Sequence, residues 1–239
     1  MATISTDIWG EVYRDHHRGV RAPHTILRSD GRRETFKDAG IYFTAPRGPE
    51  EAKALEGLDG SILDAACGAG AYSLFLQERG AEVVSIDSSE GAIEVCRERG
   101  CRDARVRDVQ AIELESGKFD AVLLMGFTLG LGKTYSDQVS IFRRLHKVTR
   151  STGIIVGTTI DPLDTKDPGH LAYHEQNRQA GRPPGMIRLR VEYKGKMSPW
   201  LHVWMMTPQE VGKAALEAGW SIRSPDGKPV HGIYVLEKT

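Results

Sequence analysis

A short stretch near residue 65 combines an acid with two glycines where a predicted strand runs into a predicted helix. Residues 62–70 read ILDAACGAG, so Asp64 lies in the apolar run and Gly68 and Gly70 follow it. Glycine lets the backbone approach a ligand closely, and the first N–H groups of the next helix are free to donate to one. In an open α/β sheet this turn lies at the carboxyl end of a strand, where ligands bind. The stretch therefore predicts a ligand-binding turn.

Two more acids accompany the next two predicted strands. Asp87 closes the run EVVSID, and Asp108 stands shortly after the run ARV. A carboxylate at the position of Asp87 can accept hydrogen bonds from both hydroxyl groups of a ribose. NAD-binding enzymes use the same device, so Asp87 alone does not identify the cofactor. The pattern G-x-G-x-x-G of dinucleotide sites would need a glycine where Ser73 stands, which weighs against NAD.

Alternating strand and helix patterns position these residues. The predicted strands share a short, nearly continuous apolar run, and they span residues 61–66, 82–87, 104–106, 119–125 and 153–160. Such alternation predicts an α/β fold with a parallel sheet and helices on both faces. The apolar strands agree with this fold, because both faces of such a sheet are covered.

Two segments lie outside the alternation. Residues 1–59 are irregular and are expected to form an N-terminal cap segment, whereas residues 60–239 are expected to form the main domain. Within that domain, residues 161–206 interrupt the alternation and are rich in Pro, Gly and charge. Strand patterns at 186–193 and 200–206 predict a hairpin there, so we expect an inserted substrate cap.

The glycine turn resembles the first motif of the class I, Rossmann-like S-adenosylmethionine-dependent methyltransferases. That motif has an acid followed by Cys-Gly-x-Gly, and the matching residues are Asp64, Cys67, Gly68 and Gly70. Ala66 stands where the family usually has another glycine. The resemblance covers residues 60–160 well and continues through the last helix and strands. The Leu-Gly-Leu segment at 129–131 is similar to that of stand-alone bacterial members of the small-molecule type.

The resemblance implies a seven-stranded, mostly parallel sheet whose last strand is antiparallel, with S-adenosyl-L-methionine as the cofactor. In the family, an acid at the position of Asp87 binds the ribose, and an acid at the position of Asp108 accepts from the adenine amino group. The acid of the turn reaches the ammonium group of the methionyl part. The implied cofactor-binding residues are Asp64, Ala66, Cys67, Gly68, Gly70, Asp87, Ser88, Asp108, Val109 and Met125. Helix capping is the structural alternative for Asp87 and Asp108.

The acceptor is expected to be a small molecule, from a natural product or a peptide, methylated at oxygen or nitrogen. The segment GFTL after the fourth predicted strand lacks the Asn/Asp-Pro-Pro-aromatic motif of enzymes that methylate the amino groups of adenine and cytosine. It also lacks an acid for a magnesium site. A base is needed only where the acceptor must lose a proton to become nucleophilic.

Candidate acceptor and catalytic residues come mainly from the inserted cap. Arg188 and Arg190 share one face of a predicted strand and can clamp a carboxylate or a phosphate, unless Glu192 pairs with them on a solvated face. The expected acceptor-binding residues are Tyr42, Arg188, Arg190 and Trp200. The candidate general bases are His170, His174 and His202. His170 and His174 have no third ligand at motif spacing, so no metal is predicted.

The composition argues against a nucleic-acid-binding domain and against a membrane span. The chain has 239 residues with 32 basic and 32 acidic side chains, so it lacks the basic excess of a nucleic-acid-binding domain. No apolar run approaches the roughly 18 residues of a membrane span, and the first residues do not resemble a signal peptide. Three cysteines fit a reducing, cytoplasmic location.

Two other hypotheses stay open at this point. One is an NAD-dependent oxidoreductase. The other is a non-catalytic, cofactor-binding partner subunit of a methyltransferase. The sequence indicates neither the acceptor nor the oligomeric state.

Overall fold

Two β-sheets and seven α-helices organise the chain in a computed structural model that describes residues 3–223, 229 and 232–239. The helices are α1 (Ile8–His17), α2 (Pro49–Leu55), α3 (Ala71–Gln77), α4 (Glu90–Glu98), α5 (Tyr135–Val148), α6 (Pro168–Gln179) and α7 (Pro208–Glu217). The strands are β1 (Thr3–Ile4), β2 (His24–Arg28), β3 (Arg33–Phe36), β4 (Ser61–Ala65), β5 (Glu82–Asp87), β6 (Asp103–Val106), β7 (Phe119–Leu124), β8 (Thr149–Thr158), β9 (Met186–Tyr193), β10 (Lys196–Met197), β11 (Leu201–Trp204), β12 (Trp220–Ile222) and β13 (Ile233–Lys238).

The main sheet has seven strands in the order β12-β13-β8-β7-β4-β5-β6. Strands β4 to β8 pair in parallel, and β13 pairs antiparallel with both β8 and β12. Every residue of β4 is buried, as its apolar run requires for a central strand. The predicted α/β class, with a mostly parallel sheet of seven strands, is confirmed.

The apolar residues of the main sheet form two large core clusters. One joins β7 and β8 to helices α5 and α7, with Phe142, Trp204 and Trp220 fully buried. The other joins β4, β5 and β7 to α2 and α3 through Leu55, Ile62 and Leu76. Because each strand alternates its side chains, these two clusters lie on opposite faces of the sheet.

A second sheet, the cap sheet, has the order β1-β10-β9-β2-β3, with β11 also paired to β9. It joins two parts of the chain that the sequence suggests only as separate caps, because β2 pairs antiparallel with β9, for example Ile26 with Val191. Strand β9, the first strand of the predicted hairpin, pairs antiparallel with two different strands, β10 and β11. Lys194 and Gly195 turn β9 into β10 with positive φ angles of 46° and 76°, whereas β11 pairs with the other end of β9.

Helix α6 is the main element that the sequence analysis does not predict. Its first turn carries ordinary start signals, since Asp167 accepts a hydrogen bond from the His170 N–H and Pro168 occupies the first position. Its apolar residues are few, so the periodic pattern that indicates a helix is weak. Among the described residues, no helix combines the length and apolar character needed to cross a lipid bilayer.

Candidate functional site

The turn between β4 and α3 depends on left-handed backbone conformations. Ala66, Gly68 and Gly70 have φ angles of 58°, 56° and 75°. A Cβ atom at Gly70 would lie 2.6 Å from the Cys101 sulfur and 2.9 Å from that of Cys96, so only glycine fits there. Ala66 takes the same conformation with a Cβ, at a cost of about 1–2 kcal/mol.

Asp87 joins this turn to the end of β5. Its Oδ2 accepts from the Gly68 N–H at 3.0 Å and its Oδ1 from the Ser89 N–H at 2.9 Å. Burial raises the pKa of Asp87, and the two backbone hydrogen bonds oppose that shift. Each carboxylate oxygen keeps a second lone pair that can accept from a ligand hydroxyl.

Asp64 lies buried under the turn and accepts a hydrogen bond of 2.6 Å from the Ser73 hydroxyl. Ser85 in turn donates to Ser73 at 2.8 Å. Burial raises the pKa of Asp64 to about 7, with the Ser73 hydrogen bond acting in the opposite direction. Ser73, which departs from the dinucleotide glycine pattern, therefore has its own role in holding this acid.

The other implied cofactor residues lie along the same edge of the main sheet. Asp108 is exposed and caps a short 3₁₀ helix by accepting from the Gln110 N–H at 2.8 Å. Val109 and Met125 are buried, and Ser88 is exposed. The carboxyl ends of β4, β5 and β6 thus bring the glycine turn, Asp87 and Asp108 to one edge, because neighbouring parallel strands end together.

Helix α1 lies against this edge, a placement that the sequence does not predict. Asp7 caps α1 through the Gly10 N–H and also accepts from the Gly91 N–H at 2.9 Å and from the Ser89 hydroxyl. A Cβ at Gly91 would lie 2.6 Å from the Gly10 Cα, so the two helices approach at glycines. Tyr13 of α1 is buried, with its hydroxyl 3.5 Å from the Cβ position of Gly68.

Arg47 is a second residue that the sequence analysis misses, because it stands in a loop without a motif. Glu51 Oε2 accepts from the Arg47 backbone N–H at 2.8 Å and from the Tyr72 hydroxyl at 2.7 Å. The Arg47 guanidinium lies 5.9 Å from the centre of the Tyr72 ring and 3.5 Å from the Cβ position of Gly126. Its Nε is buried without a hydrogen-bond partner in the described part of the chain.

An aromatic group extends from Tyr13 toward the cap sheet. The Tyr13 and Tyr42 rings lie 5.5 Å apart, and the Tyr42 hydroxyl lies 3.3 Å from His24 Nε2. His24 is buried, and burial lowers its pKa although Asp38 acts in the opposite direction. Burial raises the pKa of Tyr42 well above its usual range. The sequence analysis names Tyr42 but not His24.

Gly126 and Phe127 follow β7, which pairs with β4 on the side away from β5, so this segment lies at the same edge of the main sheet. Gly126 and Phe127 both have positive φ angles, 74° and 69°. The Phe127 N–H donates to the Thr158 hydroxyl at 2.9 Å, while its ring is 41% exposed. A non-glycine residue held in this conformation marks a constrained position and often a functional one.

The predicted base and acceptor residues of the inserted cap lie apart from the glycine turn. Val191 and Tyr193 of β9 pack on α1, so the alternate residues Arg188 and Arg190 lie on the outer face of the cap sheet. Both arginines stack on Trp200, with 4.9 Å and 4.7 Å to the ring centre. Glu192 does not pair with them, since it forms an ion pair with Arg33.

The three candidate histidines are dispersed. His202 lies opposite Arg188 on the outer face, whereas His170 and His174 belong to α6. His174 is buried, and its Nδ1 has no hydrogen-bond partner among the described residues. Within those residues, no three His, Cys, Asp or Glu side chains are grouped as a metal ion would need.

The three cysteines pack beneath the glycine turn and are unpaired. The Cys67 and Cys96 sulfurs lie 3.7 Å apart, and the Cys96 thiol donates to the Gly68 carbonyl at 3.1 Å. The contact with Cys96 is the largest single effect on the pKa of Cys67 and lowers it, but burial together with the negative charges of Asp64 and Asp87 raises that pKa to about 12. These thiols support the backbone of the turn.

The part of the chain that forms this edge is similar in sequence to known proteins. Residues 63–157 match the family model described as a methyltransferase domain, which spans the glycine turn, Asp87 and Asp108. The malonyl-[acyl-carrier protein] O-methyltransferase of Serratia marcescens is 30% identical over 100 residues, 41% of this chain and 38% of that protein. The cypemycin N-terminal methyltransferase of a Streptomyces species is 27% identical over 119 residues, 47% of each chain. The chain spans less than half the length of these curated relatives.

Solved structures extend the likeness in fold beyond the matched domain. A SAM-dependent methyltransferase from Bacteroides fragilis, in complex with S-adenosyl-L-homocysteine, has a TM-score of 0.79 at 23% identity and covers 97% of this chain and 93% of its own. A SAM-dependent methyltransferase from Methanosarcina mazei has a TM-score of 0.64 at 15% identity and covers 80% and 97%. The fold of the first therefore includes the cap segments as well as the main sheet.

Proposed function

We propose that this chain, whose residues 63–157 match a methyltransferase domain model, is a class I S-adenosylmethionine-dependent methyltransferase. One observation carries the proposal: Asp87 is fixed by the Gly68 and Ser89 N–H groups beside a glycine turn in the matched domain. The acceptor we propose is a small molecule, from a natural product or a peptide, methylated at oxygen or nitrogen.

The residues along the edge fit the chemical groups of this cofactor. Asp87 would accept from the ribose hydroxyls, and Asp108 from the adenine amino group through the oxygen that does not cap the 3₁₀ helix. The left-handed glycines leave room for close approach of the ligand. Asp64 lies buried under the turn, and in its ionised form it would supply a negative charge for the ammonium group.

Arg47 completes the set. Its Nε is buried and has no hydrogen-bond partner among the described residues, and a buried polar N–H without a partner is costly. A carboxylate is the group that best satisfies an arginine, through two parallel hydrogen bonds. We assign to Arg47 the carboxylate of the methionyl part, because Arg47 lies between Gly126 at the end of β7 and Tyr72 in the first turns of α3.

The bound cofactor supplies an activated methyl group on a sulfonium, so the protein contributes mainly position and exclusion of water. Tyr13 covers the turn at Gly68 and Tyr42 packs against Tyr13, and the exposed Phe127 offers an apolar contact to an acceptor. His24 is buried, but its Nε2 lies 3.3 Å from the Tyr42 hydroxyl, so it can take the Tyr42 proton while Tyr42 takes one from an acceptor hydroxyl or amine. We favour this pair for the role, because the Tyr42 ring packs on Tyr13, which contacts Gly68 of the turn.

The comparisons support transfer of a methyl group without favouring one acceptor atom. One relative is named as an O-methyltransferase and another as an N-terminal methyltransferase. Ser73 weighs against an oxidoreductase, because its hydroxyl is committed to Asp64 where a dinucleotide site would have a glycine. The reducing, cytoplasmic location is also a proposal, which rests on three unpaired cysteines.

Methyl transfer from isotopically labelled S-adenosylmethionine tests the proposal. The purified chain is incubated with panels of small hydroxyl, carboxyl and amine compounds and of short peptides, and label in the products is followed by mass spectrometry. We expect transfer by the wild-type chain and none by Asp87→Ala. Cofactor binding without transfer to any acceptor, together with transfer once a partner protein is added, would support the partner-subunit hypothesis instead.

A further inference from the structure

A pocket of about 390 Å³ opens on the outer face of the cap sheet, between the sheet and helix α6. Its lining includes Arg182, Arg188, Trp200, His202 and Tyr173. The volume falls in the range of about 300–1,000 Å³ that is typical of small-molecule sites. The proposed function does not use these residues, although the sequence analysis expects Arg188 and Trp200 to bind the acceptor and His202 to be a candidate base.

The pocket is positively charged and has no neutralising acid in the described part of the chain. Arg182, Arg188 and Arg190 form no ion pair with any described carboxylate, although most arginines of the cap segments do. Glu192, the acid nearest in sequence, is paired with Arg33. Positive charge from Arg188, Lys133 and Arg182 adds to burial in lowering the pKa of His202. A cluster of this kind attracts anions.

Arg182 and Arg188 are exposed, but each of the three arginines has a contact that restrains it. Arg182 Nε donates to Asn177 Oδ1 at 3.0 Å, and the buried Asn177 donates to the carbonyls of Pro184 and Met186. The Trp200 ring contacts the guanidinium groups of both Arg188 and Arg190 by cation–π interaction. Arg190 Nε is buried and has no partner among the described residues. Positioned guanidinium groups lose less entropy when they bind an anion.

The pocket is separate from the edge of the main sheet that carries the glycine turn, Asp87 and Asp108. Residues 191 and 193 of β9 face α1 and the aromatic group, whereas Arg188 and His202 lie on the opposite side of the same sheet. The backbone of one sheet layer therefore stands between the two regions.

We propose that this pocket is a second binding site, which takes the phosphate or carboxylate group of a small molecule. The guanidinium groups of Arg182 and Arg188 bind the anion by charge-assisted hydrogen bonds. The volume exceeds what a free inorganic anion needs, so the anionic group belongs to a larger molecule whose apolar part lies against Met186 and Trp200.

Nuclear magnetic resonance titration tests this site directly. The signals of the Trp200 indole N–H and of the arginine Nε–H groups are followed while inorganic phosphate, phenyl phosphate, acetate or benzoate is added. We expect saturable shifts, with the aromatic anions binding more tightly than the free ones. Arg182→Gln and Arg188→Gln should each weaken binding roughly tenfold, the loss of one charge-assisted contact. Arg178→Gln is the matched control, since Arg178 lies on α6 but is paired with Glu175.

Two further variants separate this site from the proposed cofactor site. Asp87→Ala should lose S-adenosylhomocysteine binding and bind the anions as wild type does. Arg188→Gln should bind S-adenosylhomocysteine as wild type does and bind the anions more weakly. Tighter binding of inorganic phosphate than of phenyl phosphate would show a site for a free anion and overturn the assignment to a larger molecule. Absence of saturable shifts with all four anions, or unchanged titrations in both arginine variants, would overturn the site itself.

Discussion

The carboxylate of Asp87 accepts a hydrogen bond of 3.0 Å from the backbone N–H of Gly68, so the end of β5 is fastened to the turn that follows β4. The same carboxylate also accepts from Ser89 at the start of α4. One side chain thus fixes two loops, and it does so with oxygens that still have free lone pairs toward the edge of the sheet.

Asp87→Asn should therefore weaken both the turn and cofactor binding. The amide has one carbonyl oxygen in place of two equivalent acceptors, so one of the two N–H groups loses its partner. We expect S-adenosylhomocysteine to bind roughly tenfold more weakly or worse, measured by calorimetric titration. Asp103→Asn is the control, because Asp103 lies at the beginning of β6 and pairs only with Arg105. Equal binding by wild type and Asp87→Asn would contradict the role given to Asp87.

Arg47→Gln tests the carboxylate contact. The variant should lose roughly tenfold in affinity for S-adenosylhomocysteine, because a charge-assisted hydrogen bond is removed. Binding of 5′-methylthioadenosine, which has no carboxylate, should not change. Arg79→Gln is a suitable control, since Arg79 stacks on Phe75 and lies exposed at the end of α3. A similar loss for both ligands would indicate a general structural role for Arg47.

Asp64 should make cofactor binding and stability depend on pH. Its pKa in the folded chain, about 7, lies above its ordinary value of 3.8, so the folded state holds the proton more tightly than the unfolded chain. The resulting stability is fully present below about pH 4 and is lost as the pH rises through about 7. Binding of a ligand ammonium favours the ionised form, so affinity for S-adenosylhomocysteine should rise over the same range.

Asp64→Asn provides the comparison for both effects. The free energy of unfolding, from urea titrations at several pH values, should fall less steeply with rising pH in the variant than in wild type. The pH dependence of ligand affinity near pH 7 should also flatten. Parallel pH profiles for the two proteins would show that another group is responsible.

Ala66→Gly should leave stability unchanged or raise it by up to about 1.5 kcal/mol. The variant relieves the left-handed strain of Ala66, about 1–2 kcal/mol, while the added freedom of glycine in the unfolded chain costs about 0.5–1 kcal/mol. Ala69→Gly lies three residues further, at a buried position without a positive φ, and should destabilise. Urea denaturation measures both. A clear loss of stability in Ala66→Gly would contradict the strained conformation.

The thiols under the turn should react slowly. Although the contact with Cys96 lowers the pKa of Cys67, burial and the charges of Asp64 and Asp87 together raise it to about 12, so the thiolate fraction near neutral pH is very small. We expect Ellman's reagent to modify the folded protein far more slowly than the protein in urea, and more slowly still with S-adenosylhomocysteine bound. Rapid modification of all three cysteines in the folded state would show that the turn opens easily.

Much of the main sheet could be predicted, because its determinants are local in sequence. The run ILDA is a buried central strand, and Asp64, Gly68 and Gly70 follow one another within a single turn. Asp87 and Asp108 come to the same edge because parallel neighbours end together. For these residues the order along the chain is enough to place them in space.

The cap regions could not be predicted in the same way, because their contacts join distant parts of the chain. His24 pairs with Tyr193 across the cap sheet, and Asp7 reaches Ser89 and Gly91. The sequence indicates that Arg188 and Arg190 share one face of a strand. It does not indicate whether that face packs on α1 or lies on the outer side of the cap sheet. Arg47 has no motif around it, and only its buried, unpartnered Nε identifies it.

The most direct test of the central claim is a thermal-shift comparison of S-adenosylhomocysteine with NAD, each on wild type and on Asp87→Ala. A ligand at about 100 times its dissociation constant adds roughly 2.7 kcal/mol of stability, which corresponds to about 5–10 °C for a chain of this size. We expect such a shift with S-adenosylhomocysteine alone, and its loss in Asp87→Ala. A shift with NAD instead, or an S-adenosylhomocysteine shift that survives in Asp87→Ala, would contradict the account.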